Sequence, residues 1–394
     1  MKRLLIVIQV LTSILLIGCA TPEPRDLSNA IHDYMELPNG MNPLNPSEVR
    51  RIAGHGGLGT FEHKYGRPLK ILQLSGGGQN GAFGAGVLLG WTESGNRPQF
   101  DWVTGISTGA LMATFAFLGT PEDDRTLQTL YTEITQADIY TKGGLLRLIG
   151  GHPSLMDTTP LARLIATHVT AETMERVAVE HEKGRRLGIG VTNLDYQQLW
   201  AWSLGEIAIQ RTPEALELIR KLLRAAASPP IIFPPVKIDG HLFADGAVID
   251  NLLIAGLYEP SSELAFTGDV RGQIYNIHNG RILTEPSATT ESLGGLIGRT
   301  VTISLDNGMG SSLANSYAAA AIHNYEFYLL SVPPSVEMGE NPLAFDQQEM
   351  RQLYSVGREL GRNPQSWARV PPTTRVVAPW MRDVLGGMRA KPAQ

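Results

Sequence analysis

Two stretches close together in the chain decide the fold: LKILQLSGGGQNG at residues 69–81 and DWVTGISTG at residues 101–109. Each contains a short apolar strand that leads into glycines. An apolar segment of helical character follows each of them, at Ala82–Leu89 and at Ala110–Leu118. A strand, a glycine turn and a helix, twice in succession, indicate a parallel sheet covered by helices. The sequence therefore predicts an α/β fold.

The second stretch contains a Gly-x-Ser-x-Gly motif that ends a predicted strand and begins a predicted helix. This context is typical of a nucleophile elbow, a sharp turn that exposes a serine Oγ. An elbow that tight leaves no room for side chains at Gly105 and Gly109. Ser107 is therefore the candidate nucleophile, and it needs a base to accept its proton.

The first stretch offers a row of backbone N–H groups at Gly76, Gly77 and Gly78. Such donors can stabilise the oxyanion that forms when a serine attacks an ester, so these glycines are a candidate oxyanion hole. Gly76, Gly78 and Gly81 also satisfy the dinucleotide-binding pattern G-x-G-x-x-G. That function needs an acidic residue near the end of the next strand, whereas Asp101 stands at its beginning. The sequence favours an acyl hydrolase over a nucleotide-binding protein.

The strongest candidate base is Asp245, in the segment HLFADGA at residues 241–247. An Asp-Gly pair alone usually marks a turn. Here it follows the apolar, proline-rich run SPPIIFPP at residues 228–235 and the triplet IDG at residues 238–240. These surroundings favour a role in catalysis.

The order of the three elements Gly76–Gly81, Gly105–Gly109 and Asp245–Ala247 resembles that of the patatin-like phospholipase family, over roughly Leu69 to Tyr258. The resemblance implies a three-layer α/β/α fold with a central, mostly parallel sheet, to which a helical C-terminal extension is added. It also implies a lipid acyl hydrolase of the phospholipase A type that needs no metal and no cofactor.

The same resemblance implies a Ser–Asp dyad without histidine. Ser107 would form an acyl-enzyme with a fatty acid, and Asp245 would accept the serine proton and later activate water. Gly246 and Ala247 would complete the Asp-Gly-Ala motif. Backbone amides of the loop around Gly77 would bind the oxyanion.

The chain departs from the family pattern at two places. Asn80 stands in the glycine loop where the family often has Arg or Lys, so one positive charge near the developing oxyanion is missing. The family also often has Asn-x-Pro after its aspartate, whereas Asn251 is followed by two leucines. We interpret the second departure as a local packing variation.

Two other functions fit the same residues. An α/β-hydrolase triad in the order Ser, Asp, His could consist of Ser107, Asp245 and either His278 or His323. The protein could also be a non-catalytic envelope lipoprotein that binds acyl chains or a partner. Lone histidines are more often packed or surface residues, so the dyad is the preferred hypothesis.

The N-terminus predicts a membrane anchor. Lys2-Arg3 precedes an apolar run, Leu4–Ile17, that is short for a membrane span and fits a signal peptide. The run ends at LIGC, residues 16–19, which resembles a bacterial lipobox and implies lipidation of Cys19, the single cysteine. Ala20 follows, which resembles an outer-membrane address. We expect a protein of the bacterial cell envelope, lipid-anchored in the outer membrane.

Composition excludes some classes of partner. The 394 residues are 43% hydrophobic, and the formal net charge is −5. Nucleic-acid binding needs a basic surface, so we do not expect nucleic acid as a partner. The resemblance to the patatin-like phospholipase family implies a membrane phospholipid or another acyl ester as the substrate.

We divide the chain into a signal peptide (1–18), a tether (19–68), a catalytic domain (69–260) and a C-terminal extension that completes the fold (261–394). The extension contains several predicted elements: strands at Gln273–His278, Thr300–Leu305 and Glu326–Val332, and helices at Ala314–Ile322 and Asp346–Leu360.

Two further features concern a lipid cleft. The apolar segment Gly143–Gly151 is bounded by glycine pairs and is either a flap over the cleft or a packed loop. Trp200 and Trp202 share one face of a predicted strand, and such aromatic residues more often belong to the core than to a substrate wall.

Overall fold

The computed structural model describes residues 69–143, 154–253, 272–282, 288–289, 291–322, 324–339 and 341–372. The predicted signal peptide, Cys19 and the predicted tether lie outside these residues, as do Gly144 to Gly151 of the glycine-bounded segment and His323.

The strands, numbered in chain order, are β1 Leu69–Leu74, β2 Trp102–Ile106, β3 Thr141–Lys142, β4 Met156–Asp157, β5 Arg186–Asn193, β6 Gln198–Ser203, β7 Val236–Ile238, β8 His241–Asp245, β9 Gly272–His278 and β10 Tyr325–Ser331.

The helices are α1 Gly81–Glu93, α2 Thr108–Leu118, α3 Pro121–Thr132, α4 Gln136–Ile139, α5 Thr159–His168, α6 Ala171–Glu182, α7 Leu204–Ala208, α8 Pro213–Ala226, α9 Leu293–Ile322 and α10 Gln347–Arg362. Short 3₁₀ turns occur at Gly78–Asn80, Gly246–Val248 and Pro364–Ser366.

The main sheet is mixed and mostly parallel, with the strand order β10-β9-β1-β2-β5-β8-β7. The run from β10 to β5 is parallel throughout, and β8, β7 and β6 are antiparallel to their neighbours. β2 pairs with β5 as far as Gly190, and β8 then pairs with β5 from Val191 to Asn193. The end of β2 and the end of β8 therefore meet at the same point of the sheet.

Alternate residues of β1 pack on opposite faces of the sheet. Leu69 and Ile71 belong to a cluster with Met309 and Leu313 of α9. Leu72 and Leu74 belong to the larger cluster on the other face, which includes residues of α1, α2 and α8. A strand that is buried on both faces needs a nearly continuous apolar sequence, which β1 has. The three-layer α/β/α architecture expected from the sequence is confirmed.

One predicted strand is wrong. Thr300–Leu305, rich in β-branched residues, lies inside α9. Strand preference of such residues is weak and is overridden when a longer helix packs well. Met309, Leu313 and Ala320 of α9 are buried against the sheet and hold the helix there.

The predicted strands Gln273–His278 and Glu326–Val332 and the predicted helix Asp346–Leu360 are confirmed to within one or two residues, whereas the predicted helix Ala314–Ile322 begins 21 residues earlier, at Leu293. β9 and β10 extend the parallel sheet beyond β1, and Ala314–Ile322 is the last part of α9. α10 packs along α1, with Met350 and Leu353 fully buried.

Candidate active site

The elbow at Ser107 has the sharp geometry that the motif predicts. β2 ends at Ile106 and α2 begins at Thr108, and Ser107 between them has φ 53° and ψ −126°. A Cβ at Gly105 would lie 2.3 Å from the carbonyl oxygen of Gly109. A Cβ at Gly109 would lie 2.3 Å from the carbonyl oxygen of Leu74. Only glycine fits at either position, so the strained serine is held by its surroundings.

The structure brings Asp245 to this serine. The Oγ of Ser107 donates a hydrogen bond to Oδ2 of Asp245, at 2.6 Å. Asp245 is the last residue of β8 and pairs with Val191 of β5. Its backbone N–H donates to the carbonyl oxygen of Ser228, which places the run before β7 against the site.

The residues after Asp245 orient its carboxyl group. The backbone N–H of Ala247 donates to Oδ1 of Asp245, at 2.9 Å. A Cβ at Gly246 would lie 2.6 Å from the carbonyl oxygen of Gly190, so this position needs glycine. The Asp-Gly-Ala motif thus fixes Oδ1 of Asp245 and leaves Oδ2 to accept the hydrogen bond from Ser107.

Burial changes the proton affinity of this carboxyl. Asp245 is 2% exposed. Loss of hydration raises its pKa to about 7, and the hydrogen bonds from Ser107 and Ala247 limit the rise. A carboxyl with a pKa near neutrality can both accept and return a proton at physiological pH.

The glycine loop lies beside Ser107 in a conformation that excludes side chains. Gly77 has φ 148° and Gly78 has φ 58°. A Cβ at Gly77 would lie 2.3 Å from the carbonyl oxygen of Asn279, and one at Gly78 would lie 2.3 Å from that of Pro342. A Cβ at Gly76 would lie 3.0 Å from Cβ of Ser107.

The three loop amides differ in their bonding. The N–H of Gly76 donates to Oδ1 of Asn251, at 2.8 Å, and is therefore engaged. Within the described parts of the chain, the identified hydrogen bonds give the N–H groups of Gly77 and Gly78 no acceptor. Of the three glycines expected to form an oxyanion hole, these two have N–H groups available for a ligand.

Sequence reasoning missed two asparagines that hold the loop. Asn251, interpreted as a packing variation, is the direct hydrogen-bond partner of Gly76. Asn279 donates from Nδ2 to the carbonyl oxygen of Ser75 and from its backbone N–H to Oγ of the same serine. The position of Asn251 shortly after the Asp-Gly-Ala motif could have indicated the role of Asn251. No local pattern indicates the second, because Asn279 follows β9 about 200 residues later.

His278 lies on the cavity that Ser107 lines, but its contacts are with other groups. Its Nδ1 lies 3.1 Å from Oγ of Ser75, and its Nε2 lies 3.4 Å from the carbonyl oxygen of Arg281. Burial lowers the pKa of His278 to about 4, so the ring is neutral at pH 7. Ser107 and Asp245 are joined directly, without an intervening histidine.

Ser107 and Asp245 open onto a cavity of about 390 Å³. The glycine loop, Asn80 and Asn279 also line it. The rest of the wall is mainly apolar side chains from α2, α3, α5 and α8 and from the segments around them: Leu111, Phe115, Leu130, Ile134, Ile139, Leu161, Leu164, Ile165, Val169, Leu223 and Phe233. A cavity with one polar region and long apolar walls suits an amphiphilic ligand.

Three residues noted in the sequence have a clear place. Oδ1 of Asn80 is buried, has no hydrogen-bond partner and belongs to a residue that lines the cavity. Trp200 and Trp202 are 4% and 1% exposed and belong to the core, as expected, and they do not line the cavity.

The described residues contain neither a candidate metal site nor a candidate membrane span. No group of three or more His, Cys, Asp or Glu side chains in these ranges is placed to hold a metal ion. No helix in the same part of the chain combines the length and the hydropathy of a membrane span.

The match to a family model agrees with the sequence motifs. Among solved structures, VipD from Legionella pneumophila is similar to this chain, with a TM-score of 0.36, 12% sequence identity, and coverage of 82% of this chain and 74% of that one. No curated protein sequence gives a significant match. The family model described as Patatin-like phospholipase matches residues 72–258, which supports lipid acyl hydrolysis as the general activity and a lipid as the substrate. Residues 72–258 of this chain therefore belong to the patatin-like phospholipase family.

Proposed function

We propose that the protein is a phospholipase A-like serine hydrolase that cleaves fatty acyl esters through a dyad of Ser107 and Asp245. The observation that carries the proposal is the 2.6 Å hydrogen bond from Oγ of Ser107 to Oδ2 of Asp245. A serine hydroxyl becomes an effective nucleophile when a neighbouring base accepts its proton. Asp245 is the base in contact with it.

The first half of the reaction forms an acyl-enzyme. Oγ of Ser107 attacks the ester carbonyl carbon while its proton passes to the carboxylate of Asp245. The carbonyl oxygen becomes an oxyanion, which the N–H groups of Gly77 and Gly78 stabilise. When this intermediate collapses, the bond to the alcohol breaks and the alcohol oxygen takes the proton from Asp245.

The second half releases the fatty acid. A water molecule attacks the acyl carbonyl and gives a proton to Asp245. The same amides stabilise the second oxyanion. Collapse then breaks the bond to Oγ of Ser107, and the proton returns from Asp245 to that oxygen, which restores the enzyme.

The apolar part of the cavity takes the acyl chain. Its walls come from helices that surround Ser107, and they include Leu111 and Phe115 of α2, directly after the elbow. Burial of an alkyl chain there is favourable by about 0.8 kcal/mol for each methylene group. Binding energy of this kind positions the ester against the dyad.

A pair of substitutions tests the dyad. S107A and D245N should each lower kcat on a nitrophenyl acyl ester by at least about a thousandfold while the far-UV circular dichroism stays unchanged. S355A, an exposed serine on α10, is the matched control and should retain wild-type turnover. A fluorophosphonate probe should label the wild type and not S107A, and absence of labelling in the wild type would favour a non-catalytic binding protein.

A second pair of variants tests the rival triad. H278A and H323A should retain turnover, because a dyad uses neither ring. Loss of turnover of the size seen in S107A, in either variant with an intact fold, would contradict the dyad.

We also propose that the enzyme is a lipoprotein of the bacterial outer membrane, anchored through Cys19. The support is the lipobox-like segment at residues 16–19. Metabolic labelling of the full chain with an alkynyl palmitate should give a labelled membrane protein, and C19S should abolish both the label and the membrane fraction. A labelled C19S variant would contradict the assignment.

A further inference from the structure

One arginine of the catalytic cavity has no role in the dyad chemistry. Arg281 lines the same cavity as Ser107 and follows β9 by three residues. Asn279 lies two residues before Arg281. Its carbonyl oxygen would lie 2.3 Å from a Cβ at Gly77. The backbone that carries Arg281 is therefore packed directly against the glycine loop.

The guanidinium of Arg281 is anchored but only partly satisfied. Nη2 donates to the carbonyl oxygen of Val336. Nε is buried and has no hydrogen-bond partner. None of the ion pairs found in the described ranges involves Arg281. The residue as a whole is only partly buried, so an anion that enters the cavity can accept hydrogen bonds from its guanidinium.

The loop around Arg281 is fixed before any ligand binds. The backbone N–H of Val332 donates to the carbonyl oxygen of Gly280, at 3.0 Å. The carbonyl oxygen of Arg281 itself lies 3.4 Å from Nε2 of His278. These bonds tie the loop to β10 and β9, so the guanidinium needs little ordering when it meets an anion.

The glycine loop itself supplies no cation. Asn80 occupies the position where a basic side chain was expected from the family pattern, and its unpartnered Oδ1 is an acceptor. Arg299 also lines the cavity, but its Nε already donates to Thr289. Among the described residues that line the cavity, Arg281 is thus an arginine whose Nε–H has no hydrogen-bond partner.

We infer that Arg281 binds the phosphodiester of a phospholipid headgroup, so that the enzyme selects phospholipids over neutral acyl esters of the same chain length. A guanidinium donates parallel hydrogen bonds to phosphate oxygens, and charge-assisted bonds of this kind are about twice as strong as neutral ones. The inference rests on the proposed hydrolase function and assigns a residue of this chain to headgroup recognition.

The test compares two substrates on each variant of the full chain in mixed micelles. A phosphatidylglycerol and a diacylglycerol with identical acyl chains differ only in the headgroup. R281Q should lower the ratio of kcat/KM on the phospholipid to kcat/KM on the diacylglycerol by about 10-fold to 100-fold. R281K, which keeps the charge and loses the fork of donors, should give an intermediate ratio.

R351Q is the matched control. Arg351 also donates to a backbone carbonyl, that of Thr132, but it is exposed and does not line the cavity. The R351Q substitution removes the same charge from the protein as R281Q does. An unchanged ratio of the two kcat/KM values in R351Q therefore excludes a general loss of attraction to anionic micelles. An R281Q ratio equal to that of the wild type overturns the inference. Absence of turnover on both substrates by the wild type overturns the proposed function instead.

A measurement on the wild type alone covers the case in which R281Q does not fold. Hexadecylphosphocholine and hexadecanol have the same alkyl chain, and only the first carries a phosphodiester. The first should inhibit nitrophenyl ester hydrolysis at least about tenfold more strongly. Equal inhibition by the two overturns the inference. Equally strong inhibition by inorganic phosphate would assign the site to free phosphate and would overturn the headgroup assignment.

Discussion

The surroundings of Asp245 give its carboxyl group the properties that its proposed role as a base requires. The carboxyl group is buried, yet it accepts two hydrogen bonds, one from Oγ of Ser107 and one from the backbone N–H of Ala247. Burial favours the neutral acid and the hydrogen bonds favour the carboxylate. The balance leaves the pKa about three units above that of an ordinary aspartate, close to the pH at which a general base works best.

The raised pKa predicts the pH dependence of activity. Asp245 must be ionised to accept the proton of Ser107, so kcat/KM should fall about tenfold per pH unit below about pH 7 and be constant above it. The measurement is kcat/KM on a soluble nitrophenyl ester from about pH 5 to about pH 9, with the fold checked by circular dichroism at each pH. Constant activity down to about pH 5 would contradict Asp245 as the base.

Asn251 should act as a positioning residue. N251A leaves the N–H of Gly76 without its acceptor, which should lower the free energy of unfolding by about 1–3 kcal/mol. The loop that carries Gly77 and Gly78 then loses its fixed position, so kcat should fall more than KM rises. Chemical denaturation and steady-state kinetics measure the two effects. A KM increase alone would indicate a role in substrate binding instead.

At the scale of elements, α1 and α10 pack so closely that their backbones touch. Gly86 and Gly90 of α1 face backbone carbonyls of α10, and Gly357 and Gly361 of α10 face backbone carbonyls of α1. A Cβ at any of the four would lie 2.0 to 2.2 Å from a carbonyl oxygen. The glycines let the two helices touch through their backbones, which holds α10 against the helix that begins at the glycine loop.

G357A tests this contact. Alanine is the better helix former by about 1 kcal/mol, yet its Cβ would lie 2.1 Å from the carbonyl oxygen of Phe83. Steric overlap should dominate and lower the free energy of unfolding by about 1–3 kcal/mol. S355A, on the exposed side of the same helix, should change it by less than about 0.5 kcal/mol. Equal or higher stability of G357A in urea would show that the helices can separate without cost.

At the scale of the whole molecule, the family match ends at residue 258, but the sheet does not. β9 pairs with β1 along all six residues of Leu69–Leu74, and β10 pairs with β9. The C-terminal part also supplies Asn279 and the carbonyl oxygen of Pro342, both of which pack on the glycine loop. The site is therefore assembled from both halves of the chain.

Removal of all residues after 258 should abolish soluble expression or turnover. The truncation exposes the edge of β1 and leaves Leu69 and Ile71 without the cover of α9. Turnover can be lost because the chain does not fold or because the glycine loop loses its contact with Asn279, and the full-length variant N279L separates these two causes. N279L should fold with the sheet intact and should lose turnover because only the glycine loop is disturbed. A soluble, active truncated chain would show that residues up to 258 fold independently.

The sequence by itself determined the local features of this protein. Strand–glycine–helix segments, the elbow at Ser107 and the need for glycine at Gly105 and Gly109 follow from steric limits between neighbouring residues, which one segment contains entirely. Only the tertiary structure decided that Asp245 touches Ser107 across 138 residues, that Asn251 and Asn279 hold the glycine loop, and that Thr300–Leu305 is helical. These outcomes depend on strand order and on packing between distant segments, and no local preference specifies either one.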